Sequence, residues 1–171
     1  MFSIKEELNN NIISKLTIRF GNGILFHELS YDTLCITIDK NIIFDCIDYL
    51  YKEETLKYRF LTTLCGIHYL DSEKSIGVIY HLHSLTNNHR IRIKSFTEIE
   101  NPVFPSITTI FNAANWMERE TYDFFGIIFE NHPNLKRILN ADDINYFPMR
   151  KEYPIEDTTR DDKNDNMFGR S

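Results

Sequence analysis

The chain lacks the raw material for a metal or redox centre of its own. Its three cysteines, Cys35, Cys46 and Cys65, stand far apart, and none forms a C-x-x-C pair. Cysteines so placed read as reduced, small buried hydrophobes, and no cluster or metal site is expected from this chain alone. Glycine is scarce, six in 171 residues, and none is arranged in a phosphate-cradling loop. G-x-S-x-G and H-E-x-x-H are absent as well, which removes two common hydrolase layouts. No apolar run reaches the ~18 residues a membrane span needs. The opening MFSIKEELNN has neither the basic-then-apolar order of a signal peptide nor the acid-poor make-up of a transit peptide. The expected location is a bacterial cytoplasm, or the interior of an organelle that makes the protein itself. A formal net charge of −6 removes the electrostatic case for nucleic acid.

What is present is aromatic mass and local charge. Thirteen Phe and nine Tyr, with 42% hydrophobic and 26% charged residues, describe one globular domain with a proper core. An aromatic surplus left on the surface would mark a partner interface. Ser3 to Glu6 reads as a capping box opening a helix with an apolar stripe at Ile4, Leu8, Ile12 and Leu16. Thr17 to Phe20 reads as a strand ending at Gly21-Asn22-Gly23, and Leu34 to Asp39 as a second strand. Ile43, Ile47 and Leu50 mark a helix capped by Asp39 or Asn41. Phe60 to Leu70 is ambiguous between helix end and strand. Val78 to Leu85 and His89 to Phe96 form a hairpin about a tight two-residue turn at Asn87-Asn88. That register puts Tyr80, Leu82, Ser84, Ile91, Ile93 and Ser95 on one face. His81, His83, Arg92 and Lys94 share the other. The H-x-H pair thus meets cations rather than carboxylates, which favours a solvated or partner-facing surface over a metal site.

The densest chemistry lies in one run from Glu118 to Leu139, ERETYDFFGIIFENHPNLKRIL. It sits on a helix capped by Asn112 and stopped by Gly126. Ala114, Met117, Thr121, Phe124 and Ile128 trace an inward stripe. Trp116, Glu120 and Asp123 fall on another face, with Arg119 placed to neutralise Glu120 and Asp123. Three readings are open for this helix. It is a salt-bridged surface, or an interface anchored by Trp116 and Arg119, or an acid/base pair of Glu120 and Asp123 with His132 as shuttle. As a loop residue, His132 can donate to a backbone carbonyl or a carboxylate. From about residue 142 the periodicity stops. Residues 151–171 carry four basic and six acidic side chains, yet Tyr146, Phe147, Met149, Tyr153 and Ile155 are large apolar groups. An extended arm lying on another protein reconciles the two, with the last residues from about Thr158 mobile.

The run from Glu118 to Leu139 resembles the signature of the C-subunit family, or 30 kDa family, of respiratory complex I, the proton-pumping NADH-quinone oxidoreductase. Glu118, Arg119, Glu120, Asp123, Phe124, Phe125, His132, Lys136, Ile138 and Leu139 match it in order, with Arg137 completing a basic pair. Tyr80-His81-Leu82 with His89-Arg90 resembles the family's hairpin. Asn112 to Trp116 resembles its lead-in, and Phe147 to Pro154, with Arg150, Lys151 and Tyr153, its tail. The match spans roughly residues 55–157. The resemblance implies an α+β fold, a two-layer domain over residues 1–141 with a mixed or antiparallel sheet, then an arm over 142–171. It implies a non-catalytic core subunit that binds no cofactor, while FMN and iron–sulfur clusters sit in partner subunits. It implies packing on the D subunit, which holds the quinone site, with the B and I subunits nearby, peripheral to the cytoplasmic face of the inner membrane. An equivalent member of a membrane-bound hydrogenase and a free-standing carboxylate-using hydrolase are the alternatives.

Overall fold

The computed structural model describes residues 2–70, 73 and 75–153, the first three by backbone alone. Three helices pack with a five-stranded mixed sheet and a small two-stranded one. Helix α1 (Phe2–Phe20) leads to strand β1 (Ile24–Ser30), β2 (Thr33–Ile38) and α2 (Ile43–Lys52). Strands β3 (Phe60–His68), β4 (Ile76–Ser84) and β5 (His89–Thr97) follow. Strand β6 (Val103–Pro105), α3 (Ala114–Phe125) and β7 (Ile128–Glu130) complete the described fold.

The large sheet runs β1-β2-β5-β4-β3. Its pairings are antiparallel except β2 with β5, which is parallel. One face is dry. Ile12 and Leu16 of α1 and Ile43, Ile47 and Leu50 of α2 close on Ile36, Tyr80, Leu82 and Ile93 of the strands. Burying each such Leu or Ile is worth ~1.5–3 kcal/mol. The tip of the hairpin is tied to α1 through His89. Its Nδ1 accepts from the Tyr58 hydroxyl at 2.6 Å, and its Nε2 donates to Asn9 Oδ1 at 2.9 Å.

Several sequence expectations need correction. Thr17 to Phe20 is the last turn of α1, not a strand. The helix simply continues, because Phe20 stacks edge-on against Tyr49 at 6.1 Å and Arg19 lies 4.7 Å over the same ring. Tertiary packing here outweighs the β preference of Thr17 and Ile18. Helix α1 already includes Phe2, so Ser3 is not at its cap position, and the Ser3 side chain lies outside the described residues. Asp39 caps as expected, accepting from Asn41 N at 2.9 Å, but it opens a single 3-10 turn that runs into α2. Cys35 and Cys46 are buried, whereas Cys65 is exposed.

The segment Phe60–His68 resolves as a strand. The hairpin turn is longer than two residues. Ser84 faces His89, leaving a four-residue loop, Leu85 to Asn88. This shifts the register by two, an even step, so the same side chains keep the same faces. Tyr80, Leu82, Ser84, Ile91, Ile93 and Ser95 are all buried. The strand expected at Leu34 to Asp39 is β2, but its hairpin partner β1 and the turn between them have no counterpart among the sequence expectations. That turn uses Tyr31 and Asp32, both at positive φ (46° and 63°), the backbone of a two-residue turn usually held by Asn or Gly.

Candidate functional site

Helix α3 crosses beside β3 and ends at Gly126, which adopts φ +70° and donates its N–H to Tyr122 O at 2.8 Å. Glycine is required twice over at this stop. A Cβ there would stand 2.5 Å from the Phe147 ring, so the arm can lie against the helix end only because no side chain is present. The expected cap is not used. Ala113 holds the cap position with no side-chain bond, and Asn112 is exposed.

The expected faces of α3 are also rearranged. Ala114 and Thr121 are buried as read, but Ile128 lies beyond the helix and is exposed. The residues that replace it inside are the charged ones. Glu118 and Asp123 are both 0% exposed. Thus Glu120, which is exposed, and Asp123 do not form an acid/base pair. Arg119 neutralises neither. It donates instead to the carbonyls of Lys136 (3.1 Å) and Arg137 (3.2 Å), and lies 5.2 Å over the Trp116 ring. Trp116 itself is 61% exposed.

Asp123 is the hub of the chain that follows. One oxygen accepts from Arg137 Nη1 at 2.9 Å and Asn140 Nδ2 at 3.0 Å. The other accepts three successive backbone N–H groups, from Ile138 (3.1 Å), Leu139 (2.8 Å) and Asn140 (2.9 Å). Burial alone would raise its pKa. The bonds from the Asn140 and Leu139 amides, the Asn140 side chain and the Ile138 amide outweigh that and hold it well below the usual carboxylate range.

Glu118 is the opposite case. Its Oε1 accepts Ile107 N–H at 2.8 Å, but Oε2 has no hydrogen-bond partner. Burial pushes the carboxyl up to about 7, against smaller opposing bonds from Ser106 and Ile107. His132 is the nearest basic group, Nε2 to Oε2 4.0 Å, with both side chains shielded from solvent. Its tautomer is set by geometry. Asn134 N–H donates to Nδ1 at 3.0 Å, so Nε2 carries the proton and donates to Asn115 O at 3.1 Å. The imidazole is a neutral brace between helix and loop, and a carboxyl so sealed cannot meet a substrate. The hydrolase constellation is therefore not assembled.

The start of the arm is knitted onto this helix end. Met149 N donates to Phe124 O at 3.1 Å, and Arg150 Nε to Phe125 O at 2.7 Å. Arg137 reaches forward to Ile144 O and Tyr146 O. The Phe147 ring, over Gly126, has Arg150 at 4.8 Å and Arg137 at 5.2 Å. The Lys151 amide donates to His68 Nδ1 at 3.0 Å, while the Lys151 and Lys136 residues are both exposed. The Phe125 ring lies where a side chain on Gly66 would be. Tyr146, Met149 and Tyr153 remain exposed. Ile155 and Thr158 lie outside the described residues. Asn140 and Ile107 carry no signal in the sequence. Ile107 is a backbone partner, which no side-chain pattern reveals.

Among the described residues no group of three His, Cys, Asp or Glu could hold a metal, and no helix is long and apolar enough to cross a membrane. The family model of the respiratory-chain NADH dehydrogenase 30 kDa subunit matches residues 36–159, reaching about twenty residues further toward the N-terminus than the motifs alone. The NADH-quinone oxidoreductase C subunit of Citrifermentans bemidjiense is 40% identical over 154 residues, 90% of this chain and 94% of that one. Its counterpart in Roseiflexus castenholzii is 37% identical, covering 86% of this chain and 84% of its own. A trypsin-resistant fragment (1–134) of Nqo5 superposes with TM-score 0.62 at 26% identity, covering 72% of this chain and 99% of the fragment. A chain of an archaeal respiratory complex, the membrane-bound sulfane sulfur reductase, shares the fold at TM-score 0.71 and 18% identity, over 85% of each chain. The chain belongs to the 30 kDa subunit family of respiratory-chain NADH dehydrogenase, the C subunits of NADH-quinone oxidoreductase, complex I.

Proposed function

We propose that this protein transfers no electrons and acts as a structural member of the hydrophilic arm, bracing the quinone-site D subunit with the B and I subunits nearby. FMN and the iron–sulfur clusters would sit in partner subunits. The assembly would place the chain at the cytoplasmic face of the inner membrane, peripheral to the bilayer. The observation that carries this reading is the use made of the signature. Glu118, Asp123, His132 and Arg137 are spent on internal bracing. Trp116, in the first turn of α3, and Leu139, Tyr146, Met149 and Tyr153, in the segment after it, are left exposed. A rigid scaffold presenting unspent aromatic and apolar groups is the composition of an interface core.

Trp116→Ala tests it. The isolated chain should melt as before, because a side chain this exposed contributes little to folding. Native gels of membranes should show loss of assembled complex, with mass spectrometry recovering the chain free. Normal NADH-quinone activity with a fully assembled complex would overturn the role assigned to this face. The purified chain should also be colourless, without stoichiometric iron or flavin; one cluster per chain would end the scaffold reading.

A further inference from the structure

The face of the large sheet turned away from α1 and α2 has a pattern of its own. Across β4 and β5, His83 stands opposite Arg90, His81 opposite Arg92 and Ile79 opposite Lys94. Across β2 and β5, Cys35 is opposite Arg92 and Thr37 opposite Lys94. The central strand therefore sends three fixed cations, Arg90, Arg92 and Lys94, to one side. Among the outward positions of the five strands there is one carboxylate, Glu28, 3.4 Å from Lys94. In a chain of net charge −6 this is a local reversal of sign.

Arg92 and Lys94 are held in place, Lys94 by Glu28, while Arg90 is exposed. Arg92 donates from Nε to His81 Nε2 at 3.2 Å and from Nη1 to Cys35 Sγ at 3.5 Å. His81 is kept neutral by burial and by Arg92 beside it, so it serves as an acceptor and does not compete for an anion. The row is flanked by aromatics at both edges of the sheet. Phe26 on β1 is 56% exposed, and Phe60 on β3, edge-on to His83, is 49% exposed. A preorganised guanidinium matches a carboxylate by paired hydrogen bonds, and Arg with aromatics is the composition of an interface anchor.

We propose that this sheet face is a second docking surface, distinct from the α3 face, and that its occupant is an acidic protein surface of a neighbouring subunit. Charge complementarity selects the occupant. A nucleic acid is disfavoured because a polyanion would meet three cations in a strongly negative molecule. The proposal rests on membership of the assembled complex.

The test uses the full chain in its complex, with the photo-crosslinker p-benzoylphenylalanine in place of Phe60, and separately in place of Trp116. The Phe60 probe should capture a peptide rich in Asp and Glu from another subunit. Arg90→Glu together with Lys94→Glu should cut that capture roughly tenfold, as should about 0.5 M salt. The Trp116 capture should be unchanged, and so should the melting of the isolated chain; Arg90→Glu alone serves if the double variant does not fold. Capture by the Trp116 probe without capture by the Phe60 probe overturns the second surface and leaves the scaffold reading standing. Capture that ignores charge reversal, or that goes to lipid or to a segment without acids, overturns acidic recognition. A chain absent from the complex with neither probe reacting overturns the scaffold reading itself.

Discussion

Two carboxylates five positions apart on one helix are buried equally and behave oppositely. Asp123 meets five donors and stays ionised; Glu118 keeps one oxygen without a donor and sits beside a neutral imidazole. The difference makes a pH prediction. The folded pKa of Glu118, about 7, lies above its ordinary 4.5, so folding favours the protonated form. Between those values the folded chain binds more protons than the unfolded one. Stability from this group is full below about 4.5, falls as pH rises to about 7, and is flat above. Glu118→Gln keeps the acceptor for Ile107 N–H and cannot ionise. Urea unfolding at a series of pH values should show the variant level with the wild type near pH 5 and more stable at pH 8, by up to ~3 kcal/mol. An equal loss at both pH values would show that the carboxyl is instead ionised and paired. Asp123→Ala should behave differently. It strands Arg137, whose side chain is 11% exposed, and three backbone donors, at a cost of ~3–5 kcal/mol across neutral pH. A melting curve within about 2 °C of the wild type, roughly the shift of one kcal/mol or less, would refute this hub role.

Elements defined by period and by turn chemistry are legible in the sequence; elements defined by what packs on them are not. The even-step register of the β4–β5 hairpin preserves its two faces despite the longer loop, since strand periodicity is two whatever the turn length. Gly126 reads as a stop because its reason is local. The end of α1 does not read as helix because the deciding contacts, Phe20 and Arg19 on Tyr49, come from a distant helix. The same limit applies to α3. Spacing puts Arg119 within reach of Asp123, but the competing partner, Arg137, is fourteen residues away and arrives only when the loop folds back. Helical periodicity also counts charge as outward, so it cannot find a buried Glu118. At the helix stop, Gly126→Ala should be costly. It combines a positive φ with a Cβ thrust into the Phe147 ring. A loss of ~1–3 kcal/mol is expected, and pairing it with Phe147→Ala should recover part of that loss. If the two effects simply add, the ring is not what the methyl meets.

At the scale of the molecule, the boundary near residue 141 is a change in sequence character more than a change in packing. Residues 144–150 supply the carbonyls that complete Arg137, the ring that covers Gly126 and the guanidinium that caps the Phe125 carbonyl. These contacts join the start of the arm to the end of α3, where the face proposed to meet the quinone-site neighbour begins. Shortening the chain after Ala141 should therefore have two separable effects. The contacts of the sheet with α1 and α2 remain and the sheet loses the Lys151 bond to His68 at the end of β3, so far-UV circular dichroism should keep its shape. The melting temperature should fall, because α3 loses its cover and Asp123 holds a loop that no longer leads anywhere; a loss of ~2 kcal/mol corresponds to about 4–8 °C for a chain this size. Adding Trp116→Ala to the shortened chain should lower assembly further without lowering the melting temperature again. An unchanged melting temperature on shortening would mean that residues 142 onward are held only by a partner, and that the cation pair around Phe147 adds nothing to the free protein.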